Sequence, residues 1–146
     1  MINYRAIVYI KGRTHPKVVS YEQLEEMFRT HELFHRIGGP AIEIIDQDGH
    51  EYRHWYKDGL EHREDGPSFE TREGNNSRKG FRLEGKFYSL FDWAIKTNKS
   101  IDDITIYLFD QRPEIREQAQ MYIKYLKGEL DEKVSYYKNY QPEDIY

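Results

Sequence analysis

His35-Arg36-Ile37-Gly38-Gly39-Pro40-Ala41 recurs as His62-Arg63-Glu64-Asp65-Gly66-Pro67-Ser68, 27 residues further on. A repeat at that spacing limits the fold more than any single residue does. Each copy must be one supersecondary unit that buries its apolar face against the next. A second element, Trp55-Tyr56-Lys57-Asp58-Gly59-Leu60-Glu61-His62, precedes the second copy and returns in weaker form as Phe81-Arg82-Leu83-Glu84-Gly85. Val8-Tyr9-Ile10-Lys11-Gly12-Arg13-Thr14-His15 shares its glycine and histidine spacing. One unit therefore reads as strand, glycine turn, short return, His-Arg-x-x-Gly-Pro corner, next strand. Asp48-Gly49, Asp58-Gly59, Asp65-Gly66, Glu73-Gly74 and Glu84-Gly85 are read as its turns, since tight hairpins need the positive φ that glycine reaches freely.

The flanks follow other rules. Residues 2–10 are β-branched and aromatic and predict a strand. Ser20-Tyr21-Glu22-Gln23 forms a capping box, and Leu24, Met27, Phe28 and Leu33 extend a helix over 21–33. Residues 41–89 alternate strand-length runs with turns, and Asn75-Asn76-Ser77 reads as the tip of the longest loop. Leu90, Phe91, Ala94 and Ile95 begin a helical segment. Ser100-Ile101-Asp102-Asp103 starts a second helix with an acidic first turn, and Pro113 starts a third. Ile115, Ala119, Tyr122, Ile123 and Leu126 give that third helix its buried face, and Gly128 its stop. The tail from Asp131 to Tyr146 is read as a short helix or a docked strand. The fold class is α+β: an antiparallel β-meander of repeat hairpins packed with an N-terminal helix and a C-terminal helical segment. The 146 residues suit a single domain, divided into 1–33, 34–89 and 90–146.

Composition removes several functions. The absence of cysteine excludes disulfides, a thiol nucleophile and thiolate-bound metal. A net charge of −4 argues against a duplex nucleic-acid binder, which needs a basic face. No apolar run approaches the ~18 residues of a membrane span, and the opening residues lack the basic and apolar regions of a secretory signal. The expectation is a cytoplasmic protein, in the host cell if it is viral.

The His-Arg-x-Asp-Gly-Pro-Ala corners alternating with Trp-x-x-x-Gly hairpins resemble the MORN-like repeat proteins of large tailed bacteriophages. Gly85-Lys86-Phe87-Tyr88-Ser89 before an aromatic helix is similar to the way such arrays end. The resemblance covers about residues 34–95 and implies small β-hairpin sheets, usually without an assigned enzyme activity. It also implies a phage accessory or counter-defence role, either inhibiting a host enzyme or sequestering a nucleotide signal of host immunity.

Several motifs invite chemistry. His31-Glu32-Leu33-Phe34-His35 matches the HExxH of zinc hydrolases, but the extended form wants a third histidine where Ala41 stands, and the repeat already explains His35 as a corner residue. Gly80 to Phe87 has P-loop glycine spacing, yet Phe87 replaces the magnesium-binding hydroxyl and Glu84 would repel phosphate. Asp46, Asp48 and Gly49 echo a calcium loop without its terminal glutamate. His50 and His54, four apart on a strand, would share a face.

The remaining signal is arginine beside aromatic residues, the pairing that holds phosphates and stacks bases. Arg36, Arg53, Trp55, Tyr56, His62 and Arg63 are the predicted ligand-binding residues, with no catalytic residue, metal or cofactor. The other reading packs the aromatics between hairpins and ties the corner arginines to local carboxylates or carbonyls. The expected function is non-catalytic binding of a small nucleotide, in a site that two copies of the chain could share. The alternatives are a protein–protein module that inhibits a host protein and a metal-dependent hydrolase.

Overall fold

The computed structural model describes residues 4–130, so the predicted tail element and the first residues of the predicted strand lie outside the described residues. The chain forms two compact units, Met1–Lys86 and Phe87–Tyr146. Its class is α+β, with a mostly antiparallel seven-stranded sheet and four α-helices among the described residues.

The first unit holds β1 (Tyr4–Val8), β2 (Lys17–Ser20), α1 (Tyr21–Arg29), β3 (Ile42–Asp46), β4 (Glu51–His54), β5 (Tyr56–Lys57), β6 (Leu60–Glu61), β7 (Phe69–Glu73) and β8 (Asn76–Leu83). With β9 (Lys86–Tyr88), the sheet order is β2-β1-β3-β4-β7-β8-β9, and β5 and β6 form a separate two-stranded hairpin. The boundary between the units falls within β9. Alternation along β1 turns Ala6 and Val8 fully inward. They join Val19, Leu24, Met27, Phe34, Ala41 and Ile42 in one buried apolar cluster.

Ser20 caps α1 as the sequence predicts: its hydroxyl accepts the Gln23 N–H at 3.2 Å, and the Gln23 side chain accepts the Ser20 N–H at 2.9 Å. The helix stops at Arg29, short of the predicted residue 33. The Thr30 N–H and hydroxyl both bond to the Glu26 carbonyl, and His31 turns to φ +57°. Leu33 leaves the helix and accepts the Lys11 N–H at 2.9 Å. Asn75-Asn76-Ser77 is not a long loop. Glu73 pairs with Asn76 across a two-residue turn, and Ser77 is already in β8.

The second unit contains α2 (Leu90–Lys96), α3 (Ile101–Thr105), a 3₁₀ turn (Ile106–Phe109) and α4 (Pro113–Leu126). Ser89 and Ser100 cap the first two helices, and Pro113 opens the last. Tyr122 is buried, and its hydroxyl donates to the Lys99 carbonyl at 2.6 Å. Leu126, predicted on the buried face of α4, is 42% exposed. Among the described residues no helix is long and apolar enough to cross a membrane.

Candidate functional site

The repeat has a physical basis in hydrogen bonds that recur pair by pair. The His35 N–H donates to the Tyr9 carbonyl at 3.0 Å, and the His62 N–H to the Trp55 carbonyl at 2.9 Å. The Gly59 N–H reaches the Phe34 carbonyl at 2.9 Å, and the Gly85 N–H the Glu61 carbonyl at 2.8 Å. These bonds equate Tyr9 with Trp55 and His35 with His62. The glycine and histidine spacing in the sequence instead matches Val8 with Trp55 and His15 with His62. The difference arises because the first hairpin is split. Ile10 bridges to Phe34, so residues 12–32, with β2 and α1, occupy the place that Asp58-Gly59 fills in the second hairpin.

Each corner histidine caps the following turn. The Nδ1 atom of His35 accepts the Asp58 N–H at 2.9 Å, and that of His62 accepts the Glu84 N–H at 2.8 Å. Asp58 and Glu84 both sit at φ +51°, each before a glycine at positive φ, as two-residue hairpin turns require. An Nδ1 that accepts leaves the proton of a neutral imidazole on Nε2. In His62 that Nε2 is buried, 3.3 Å from Glu64 Oε2, without a hydrogen bond of good geometry.

Each corner arginine lies flat between a ring and a glycine. The Arg36 guanidinium is 4.0 Å from the Tyr9 ring centre, and that of Arg63 is 3.9 Å from the Trp55 ring centre. On the other side a Cβ at Gly39 or Gly66 would fall 2.8 or 2.7 Å from the guanidinium carbon. Gly66 therefore admits the arginine, rather than serving as the hairpin turn the sequence suggests. Arg36 donates to the Pro40 carbonyl and Arg63 to the Pro67 carbonyl, both at 3.1 Å. Arg36 also meets Glu43 at 3.4 Å, and Arg63 meets Asp65 at 3.0 Å.

The two corners flank a surface depression of about 450 Å³ lined by His35, Arg36, Ile37, Gly38, Trp55, Tyr56, Lys57, His62, Arg63, Glu64 and Asp65. Five of the six predicted ligand-binding residues meet there. Arg53 does not line it; on β4 it faces Glu43 and Glu70 across the sheet and lies 3.4 Å from Glu51. Burial, reinforced by the Glu61 charge, pushes the Tyr56 phenol up to about 12, so it remains a neutral donor. His35, Ile37 and Lys57 were not among the predicted site residues; the equivalence of His35 with His62 was the signal for the first. A second depression, of about 340 Å³, is lined in part by Phe28, Leu33, Tyr56 and Leu60.

The other motifs dissolve into local structure. His31 and His35 lie beyond α1, not one turn apart on a helix face. Gly80 to Phe87 is the end of β8 and the Glu84-Gly85 turn. His50 and His54 do not converge: His50 meets Asp46, and His54 meets Glu61, each at 3.0 Å. Asp46, Asp48 and His50 bring ligand-type atoms within 4.8 Å of one another. Asp46 uses its carboxylate on its own turn, accepting the N–H groups of Asp48 at 2.9 Å and His50 at 3.0 Å. Burial pushes the Asp46 carboxyl up, but these bonds and the His50 ring outweigh it and hold it below its ordinary value.

No protein-family model, curated protein or solved structure matches the chain.

Proposed function

We propose that this chain is a non-catalytic binding protein of the phage accessory type. Its meander of repeat hairpins, packed with an N-terminal helix, presents the depression between the two corners to a protein partner. One observation carries the choice of partner: both corner guanidiniums are already stacked and hydrogen-bonded within the fold. A nucleotide would need an open arginine fork for its phosphates and an open ring for its base. Arg63 covers one face of Trp55, and the Pro40 and Pro67 carbonyls with the Glu43 and Asp65 carboxylates already engage both corner guanidiniums. The depression offers other chemistry. Ile37 at its lip is 89% exposed, beside Trp55 and Tyr56, with Lys57, Glu64 and Asp65 around them. An apolar and aromatic centre inside a charged rim is the anatomy of a protein interface. The resemblance to phage repeat proteins supports a host protein as the partner.

The nucleotide reading keeps the support that Trp55, Tyr56, His62 and Arg63 share one depression, and the same experiment decides between them. The protein is titrated calorimetrically with cyclic di- and oligonucleotides and ADP-ribose compounds, and immobilised wild type and Ile37→Asp are each exposed to bacterial lysate. The expected result is no heat from the panel, and a host protein whose retention falls at least tenfold with Ile37→Asp at an unchanged thermal midpoint. Micromolar binding of a nucleotide, weakened by Lys57→Ala, would give the site to the small ligand.

A further inference from the structure

The hydrogen-bond equivalences set Val8 against His54, Phe34 against Glu61, Ala41 against Ser68 and Tyr56 against Arg82. At the first junction Val8, Phe34 and Ala41 belong to the apolar cluster, with Tyr56 packed on it. The Phe34 and Tyr56 rings lie 5.5 Å apart. At the second junction the same four places hold a polar network. Glu61, 9% exposed, takes His54 Nδ1 at 3.0 Å on one carboxylate oxygen. The other oxygen takes the Ser68 hydroxyl at 3.2 Å and pairs by charge with Arg82 Nε at 3.0 Å, without hydrogen-bond geometry. Ser68 is fully buried, and its oxygen accepts the Arg82 N–H at 2.9 Å. Arg82 also donates to the Gly85 carbonyl at 3.1 Å.

The same backbone accepts an apolar quartet one repeat earlier, so burial of charge here is not a demand of the fold. Glu61 is the buried charge, with the His54 and Arg82 side chains half-buried beside it. Such a network is weak evidence for stability, because desolvation offsets the attraction; fixing one arrangement among near-equivalent ones is its best-attested role. A repeat array has that difficulty built in. Two hairpins with matching backbones and like cores could exchange places, within one chain or between copies. We propose that His54, Glu61, Ser68 and Arg82 form an identity lock. It admits the β5–β6 hairpin only at its own junction and gives up stability for that uniqueness. The hairpin carries Tyr56 and Lys57 and leads directly into His62 and Arg63, so the lock also positions the depression, whatever that surface binds.

The test copies the first junction into the second in the full-length protein: His54→Val, Glu61→Phe, Ser68→Ala and Arg82→Tyr together. The expected variant is folded, with a thermal midpoint at or above the parent's. It gives more than one set of amide resonances for residues 55–63, or a hairpin-exchanged dimer by native mass spectrometry. A folded variant with one set of resonances and the parent's oligomeric state overturns the lock. An unfolded variant also overturns it, because the fold would then need the polar set. Glu61→Gln alone breaks the network without adding an apolar alternative. It is expected to lower the midpoint by roughly 10 °C with a single set of resonances; an unchanged midpoint would show that the network is not formed.

Discussion

At the scale of single residues, the corner arginine and the corner glycine form one interaction. A guanidinium over an aromatic face contributes about 0.5–2 kcal/mol, depending on how far it is desolvated, and Arg63 adds its bond to the Pro67 carbonyl. Arg63→Ala should therefore lower unfolding stability by about 2 kcal/mol. Gly66→Ala should lower it by about 1–2 kcal/mol, because the new methyl displaces the guanidinium. In the Arg63→Ala background the same Gly66→Ala change should be close to neutral, and urea unfolding of the four proteins measures the coupling. Additive effects would place the two residues in separate roles. Glu84 offers a gain instead. A left-handed residue other than glycine or asparagine is strained by about 1–2 kcal/mol, and Glu84 sits at φ +51°. Glu84→Asn should raise stability by about 0.5–1 kcal/mol in the same assay. Asp58→Asn should gain less, because the Asp58 carboxylate meets Lys11 at 2.8 Å.

At the scale of elements, α2 carries a pH dependence. Burial pushes the Asp92 carboxyl up to about 6, against the Ser89 hydroxyl bond and the Lys96 charge, which pull it down. The unfolded chain holds that carboxyl near 3.9. Between about pH 4 and 6 the folded state therefore binds more proton than the unfolded one, and stability falls as pH rises through that window. Asp92→Asn removes the penalty. The full shift is reduced by solvent screening at this partly exposed site, so the expected gain is about 1 kcal/mol at pH 7.5 and near zero at pH 4. Thermal midpoints of both proteins across that range check it, and parallel curves would refute it. The elements also show what a sequence makes legible. Ser20 with Gln23, Ser100 with Asp103, and Pro113 marked helix starts because capping is local chemistry. The end of α1 was not legible: Leu33 keeps helical spacing, but its carbonyl is taken by Lys11 from the turn that follows β1. The fixed offset made the paired corners legible, His35 with His62 and Arg36 with Arg63, and five of the six predicted residues line one depression. Arg53 lies outside that depression, because its place on β4 sets it between Glu43 and Glu70. Glu61, Ser68 and Arg82 carried no site assignment in the sequence, since only the recurring hydrogen bonds make them the counterparts of Phe34, Ala41 and Tyr56.

At the scale of the whole molecule, the insertion in the first hairpin separates what the repeat needs from what this chain adds to it. Lys11 and Leu33 occupy the places of Lys57 and Leu60, which a two-residue Asp-Gly turn joins directly. Replacing residues 12–32 by Asp-Gly would thus restore a hairpin of the second type without stretching the backbone. The insertion nevertheless supplies Val19, Leu24 and Met27 to the apolar cluster. Burying each such side chain is worth about 1.5–3 kcal/mol, so their loss removes roughly 4–9 kcal/mol from a total that is typically 5–15. It also uncovers Ala6, Val8 and Ile42. The shortened chain should therefore lose its cooperative thermal transition and bind a hydrophobic dye. Lengthening the tether must act differently if the insertion works as a lid and not merely as a connection. Four residues of Gly-Ser placed between Arg13 and Thr14, both exposed, should cost less than about 1 kcal/mol, because closure entropy grows only with the logarithm of loop length. Circular dichroism melts of the two variants beside the parent decide the matter. A shortened chain that still melts cooperatively near the parent's midpoint would mean that the corners and hairpins stand without α1, and that the first junction draws its stability from the repeat alone.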